Sequence, residues 1–123
     1  KEGKGVMITH AYDGTEKYDG EWKNDMPNGR GVFEKNWGKV GGVRYDGEWV
    51  DGTMCGIGQI EVTGKHIYRG EFKDDHLHGE AGVLELFDGT KYEGSFKDDR
   101  RQGQGVFVRK IFIDFNPISS LFF

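Results

Sequence analysis

The sequence is short of what builds an ordinary globular core. Only 35% of its 123 residues are hydrophobic, it has 2 prolines and 1 cysteine, and neither charge sign dominates, with 17 basic against 21 acidic residues and a net charge of −4. A single cysteine, Cys55, excludes an internal disulfide and suits a reducing compartment. The small acidic excess disfavours a generic nucleic-acid binder or a surface for anionic lipid, since both rely on clustered Lys and Arg. No apolar run approaches the roughly 20 residues that span a bilayer, and no signal-peptide pattern opens the chain. Of the histidines His10, His66, His76 and His78, only the last two are close, and no further ligands stand at metal-binding spacing around them. The Asp pairs at 74–75 and 98–99 lack the twelve-residue loop and closing Glu of a calcium site. The Gly-x-Gly steps do not continue to GxGxxG or to Gly-Lys-Ser/Thr, and neither Cys55 nor Ser95 sits where a base or a nucleophile elbow would activate it. No catalytic residue, metal or cofactor is expected, and the chain is not expected to be an enzyme.

What the chain has instead is glycine, 21 of them, and aromatic rings: 3 Trp, 5 Tyr and 9 Phe. They fall into a repeat. The stretch YDGEWKNDMPNGRG from Tyr18 returns as YDGEWVDGTMCGIG from Tyr45, YRGEFKDDHLHGEAG from Tyr68 and YEGSFKDDRRQGQG from Tyr92. Two residues after each Tyr stands Gly20, Gly47, Gly70 or Gly94, and four after it Trp22, Trp49, Phe72 or Phe96. A second glycine follows at Gly29, Gly56, Gly79 and Gly103, then Gly31, Gly58, Ala81 or Gly105, then an apolar residue at Phe33, Ile60, Val83 or Phe107. The steps between tyrosines are 27, 23 and 24 residues, so only the connector varies.

Each half of the unit alternates with period two, which sets Tyr18, Gly20 and Trp22 on one face of a strand and Asp19, Glu21 and Lys23 on the other; Gly29, Gly31 and Phe33 are expected to face together in the second half. A helix would scatter both sets, and glycine at this density would cost it about 1 kcal/mol per residue. The unit reads as a β-hairpin with a polar turn at Asn24-Asp25, Asp51-Gly52, Asp74-Asp75 or Asp98-Asp99. Glycine weakens a strand unless something lies close over it, so the Tyr and Trp rings are expected to lie on glycine backbone. One hairpin buries too little to offset the entropy of ordering it, which makes the stacked array the folding unit.

The pattern Y-x-G-x-[WF]-x6-G-x-G, with an Asp-Gly turn before the next Tyr, resembles the MORN (membrane occupation and recognition nexus) repeat. The resemblance covers residues 1–109, with a half repeat over 1–17 and full repeats from Tyr18, Tyr45, Tyr68 and Tyr92. It implies an all-β fold, an elongated, twisted, single-layer antiparallel sheet of successive hairpins with aromatics lining a groove. It also implies a scaffold or adaptor of cytoskeletal, ciliary or membrane-contact assemblies, or an accessory domain of a larger enzyme. Partner contacts are then expected from Tyr18, Trp22, Tyr45, Trp49, Tyr68, Phe72, Tyr92 and Phe96, with Trp37 beside them. The other reading of the tyrosines is that they serve only the sheet. The chain departs from the pattern at Ala81, where a one-residue bulge is expected to bring Gly82, Leu84 and Leu86 into register.

The chain opens without an initiator Met, and Gly3, Gly5 and Met7 match the second half of a repeat, as in a segment of a longer chain. Asp13-Gly14 and Asp88-Gly89 read as type I′ turns joining one hairpin to the next. The lengthened connector EKNWGKVGGVR carries Trp37, read either as folding back on the sheet or as an anchor for a partner. The hairpin tips Met26-Pro27-Asn28, Thr53-Met54-Cys55, His76-Leu77-His78 and Arg100-Arg101-Gln102 form a rim that packs either locally or on a neighbour. Residues 110–123, apolar and glycine-free, are too short to span a membrane and read as a cap, a docking peptide or a non-native extension. The expected partner is a protein in a larger assembly, in a cytoplasmic, cytoskeleton-associated setting, the cilium or flagellum included. Peripheral lipid binding through Lys1, Lys4, Arg100, Arg101, Arg109 and Lys110 is the alternative, and self-association stays open.

Overall fold

The computed structural model describes residues 1–12, 14–38 and 41–108. They form nine strands: β1 (Gly3–Ala11), β2 (Gly14–Lys23), β3 (Met26–Asn36), β4 (Gly42–Val50), β5 (Thr53–Val62), β6 (His66–Lys73), β7 (His76–Leu86), β8 (Lys91–Lys97) and β9 (Arg100–Val108). Every strand pairs antiparallel with its neighbours in sequence, so the sheet order is the chain order, an open single layer with no crossover. A one-after-another topology follows from the turns. Asn24 and Asp25 have φ of 51° and 63°, Asp51 and Gly52 46° and 82°, Asp74 and Asp75 48° and 69°, and Asp98 and Asp99 49° and 68°. Left-handed φ at both central residues is the type I′ geometry that matches strand twist, and Asn, Asp and Gly tolerate it best.

The link at Asp88-Gly89 differs from the type I′ expectation. Gly89 is left-handed at φ 87° while Asp88 is not, and the Gly89 N–H donates to Leu86 O at 2.9 Å while the Leu86 N–H donates to Thr90 O at 2.7 Å. This is a three-residue loop, a type I turn followed by a left-handed glycine. At the first link Gly14 already opens β2 opposite Ala11, and Asp13 lies outside the described residues. Residues 109–123 also lie outside them, so the readings of the tail do as well.

Two rows of residues cross the whole sheet. Met7, Tyr18, Phe33, Tyr45, Ile60, Tyr68, Leu84, Tyr92 and Phe107 are successive register partners. Two residues along each strand runs a row of glycine: Gly5, Gly20, Gly31, Gly47 and Gly58 to Gly70, then Gly82, Gly94 and Gly105. The bulge expected at Ala81 is present. The register of β7 shifts between Gly79 and Gly82, which puts Gly82 opposite Gly94 and Leu84 opposite Tyr92. The apolar position of that repeat therefore belongs to Leu84, and Val83 turns to the other face, opposite Arg69 and Glu93.

The core is the ring face of this one layer. Tyr18, Trp22, Tyr45, Trp49, Tyr68, Phe72, Tyr92 and Phe96 are each 8% exposed or less. Phe33, Met54, Ile60, Leu77 and Leu84 pack against them, half-buried. The opposite face is mixed: its register row runs Val6, Asp19, Val32, Asp46, Gln59, Arg69, Val83, Glu93 and Val106, and Ile57 on the same face is exposed. Its ion pairs, Arg44 to Glu34 at 3.4 Å and Lys91 to Glu93 at 3.1 Å, are solvent-exposed and add little stability.

Candidate functional site

The ring face is built from one contact used over and over. A Cβ at Gly58 would sit 2.5 Å from the Tyr45 hydroxyl and 2.7 Å from its ring, and one at Gly82 2.7 Å from the Tyr68 ring. Tyr18 over Gly31 and Tyr92 over Gly105 repeat the arrangement. Each tyrosine lies across the glycine of its own second strand, and the hydroxyl then reaches the backbone three residues on. Tyr18 donates to Glu21 O at 2.8 Å, Tyr45 to Glu48 O at 2.7 Å, Tyr68 to Glu71 O at 2.9 Å and Tyr92 to Ser95 O at 3.2 Å. The hydroxyl is thereby satisfied inside an apolar stack, where an unpaired one would be costly. Burial, foremost, pushes the Tyr68 phenol up to about 12 and raises those of Tyr18 and Tyr45 as well.

Between repeats the rings meet edge to face. Tyr18 stands 4.9 Å from Trp22 and 5.3 Å from Trp49; Tyr45 5.1 Å from Trp49 and 5.0 Å from Phe72; Tyr68 5.1 Å from Phe72 and 5.0 Å from Phe96; Tyr92 5.2 Å from Phe96. Each tyrosine thus touches an aromatic of its own repeat, and in the first three repeats that of the next as well. Interplanar angles of 79° to 88° along this chain of contacts are the arrangement that brings a positive ring edge to a negative ring face. The two tryptophans add a cross-repeat bond, Trp22 Nε1 to Gly5 O at 2.9 Å and Trp49 Nε1 to Gly31 O at 3.0 Å.

The second glycine of each repeat obeys a different rule from the one the alternation suggests. Gly29 does share register with Gly31, opposite Trp49 and Gly47, but its φ is 91°, and those of Gly56 and Gly79 are 105° and 94°. A side chain there would run into the carboxylate of Glu21, Glu48 or Glu71 on the opposite face, not into a ring. Glu21 Oε2 accepts the Arg30 N–H at 2.5 Å, and Glu48 Oε2 accepts the Ile57 N–H in the same way. The ladder is irregular opposite, between Gly20 and Trp22 and between Gly47 and Trp49, so the carboxylate takes up a backbone donor that the bulge sets free. The glutamate three residues after each tyrosine was the available signal in the sequence. The fourth repeat breaks it with Ser95.

A family model, the MORN repeat, matches residues 18–40, 45–61, 68–81 and 92–110, together more than half of the chain. The chain belongs to the MORN-repeat family. Among curated proteins none matches it. A module for protein or membrane interaction is what these MORN repeats indicate.

The eight repeat rings named as contact residues are brought together by the fold, but into a closed stack that offers a partner almost no surface. Trp37 stands apart from them in the connector, half-buried, its backbone N–H donating to Gly41 O at 2.7 Å. The accessible apolar surface of the ring face lies instead on the residues between the tyrosines. Phe33, Ile60 and Leu84 are half-buried, and Met7 and Phe107 are 51% and 53% exposed. Arg101 closes one end of this row, its guanidinium 5.6 Å from the Tyr92 ring and 5.3 Å from that of Phe107. Of the hairpin tips, Met54 and Leu77 pack locally on the rings, while Met26 is exposed. Among the described residues no three His, Cys, Asp or Glu side chains converge as a metal-binding group.

Proposed function

We propose that this MORN array is a non-enzymatic scaffold or adaptor that holds a protein partner within a cytoskeletal or ciliary, axonemal assembly. The observation that carries the reading is the row Met7, Phe33, Ile60, Leu84 and Phe107. It places an apolar group on every second strand, at intervals of roughly 10 Å given a strand spacing of about 4.8 Å. Nine strands make that surface roughly 40 Å long, enough for several anchors from one partner segment. A rigid ruler of this kind suits holding components at fixed separation.

The test is fractionation of ciliated cells that express the tagged chain, with a Met7→Ser, Leu84→Ser, Phe107→Ser variant alongside. The wild-type chain is expected in the detergent-resistant cytoskeletal pellet, and the variant, at unchanged far-UV circular dichroism, in the supernatant. A wild-type chain wholly in the supernatant, or a folded variant that still pellets, would overturn the reading. Recovery of the wild type with floated membranes in place of the pellet would turn it into the lipid-binding alternative.

A further inference from the structure

The turn edge of the array is stitched from repeat to repeat by an aspartate in each turn. The Asp51 N–H donates to Asn28 Oδ1 at 3.0 Å, and the Gly52 N–H to Pro27 O at 2.9 Å. At the next step the Asp75 N–H donates to Met54 O at 3.1 Å while its Oδ1 accepts the Met54 N–H at 2.7 Å. At the third step Asp99 makes the same two bonds to Leu77, at 3.1 Å and 2.8 Å. Here the second carboxylate oxygen also meets a titratable side chain, because His76 Nδ1 lies 2.6 Å from Asp99 Oδ2. Met26 and Thr53 hold the corresponding position in the earlier steps, and neither titrates.

That same step is where the other ties of the array thin out. Trp22 and Trp49 bind a glycine carbonyl of the preceding unit, whereas Phe72 and Phe96, with no indole N–H, make no such bond, and at the last step a second tie is missing as well. Ser95 replaces the glutamate that holds the bulge in earlier repeats, and Gly103 has only Ser95 near it, at 3.8 Å. The last hairpin therefore leans more on its turn.

We propose that the His76–Asp99 contact is a proton-operated latch that sets how firmly the hairpin β8–β9 is held on the third repeat. The charged imidazole closes an ion pair across the two turns; the neutral imidazole leaves a single weaker hydrogen bond. The groups facing His76 favour the charged form. Asp99 raises its pKa, first through the hydrogen bond and then through its charge; desolvation opposes this more weakly, and Asp98 from the same turn and Asp75 from its own turn add lesser contributions in the direction of Asp99. Lys73 is its register partner on β6, and Lys97 and Arg100 face each other at the base of the opposite turn. For a base whose folded pKa is raised, the added stability is complete below the ordinary value of about 6.5 and is lost as pH rises through the raised one. The latch closes on acidification and opens on the alkaline side. It stands independently of the scaffold reading.

Amide hydrogen exchange followed by NMR on the whole chain, between about pH 5.5 and 8 and expressed as protection after correction for intrinsic rates, tests this. Protection at the Leu77 and Asp99 amides is expected to fall severalfold from the acidic to the alkaline end, with the Met54 and Asp75 amides level. In His76→Gln and in Asp99→Asn that fall disappears. Wild-type protection that does not depend on pH, or a His76→Gln chain that keeps the wild-type profile, would overturn the latch.

Discussion

At Gly58 the space a methyl group would need is taken by Tyr45, and Tyr45 cannot yield it, being fully buried and tied through its hydroxyl to Glu48 O at 2.7 Å. Gly58→Ala is therefore expected to cost about 2–3 kcal/mol, the range of an overpacked core, read as a fall in the urea midpoint. Gly64→Ala is the control. That position is open but left-handed, with φ 73°, and should cost only about 1 kcal/mol. Tyr45→Phe keeps the ring and removes the hydrogen bond, for about 1 kcal/mol. The raised phenols also make the fold sensitive to alkali. Unfolded tyrosine ionises near 10, whereas Tyr68 in the fold holds its proton to about 12, so stability is full below pH 10 and is lost as pH rises through 12. Tyrosinate absorbance at 295 nm should then rise together with the loss of circular dichroism. A rise at Tyr68 that precedes unfolding would contradict its burial.

Within one hairpin, the strand pair is held by the type I′ turn, by the ring across the glycine and by the glutamate that takes up the freed N–H of the bulge. Ser95 leaves the fourth hairpin without the last of these, so Ser95→Glu is expected to stabilise the chain by on the order of 1 kcal/mol. Hydrogen exchange should show the gain concentrated in β8 and β9, and an unchanged urea midpoint would argue against the role given to Glu21 and Glu48. The strands, their faces and the four turns were legible because alternation and the Asn, Asp and Gly turn residues are local signals. The bulge at Ala81 was legible too, from Gly82 standing one residue late. The left-handed φ of Gly29, Gly56 and Gly79 was not, since it depends on a carboxylate from the neighbouring strand that sequence spacing alone does not aim.

Across the whole molecule, edge-to-face contacts run unbroken from Trp22 to Tyr92, so loss of one ring should be felt two repeats away. Tyr68→Ala should cost about 3–5 kcal/mol and lower the melt seen by fluorescence of Trp22 and Trp49 together with that seen by circular dichroism. A fluorescence transition that stays in place would mean that the repeats melt independently. By itself the sequence determined the repeat, the antiparallel order and which residues share a face, because each follows from period-two alternation and turn chemistry within about two dozen residues. Only the tertiary structure decided that the eight repeat rings are buried on one another while Met7, Phe33, Ile60, Leu84 and Phe107 keep part of their apolar surface accessible. Exposure is a property of neighbours brought together across strands, and Tyr45 and Phe33 are alike in composition until the sheet closes over one and leaves the other at its surface.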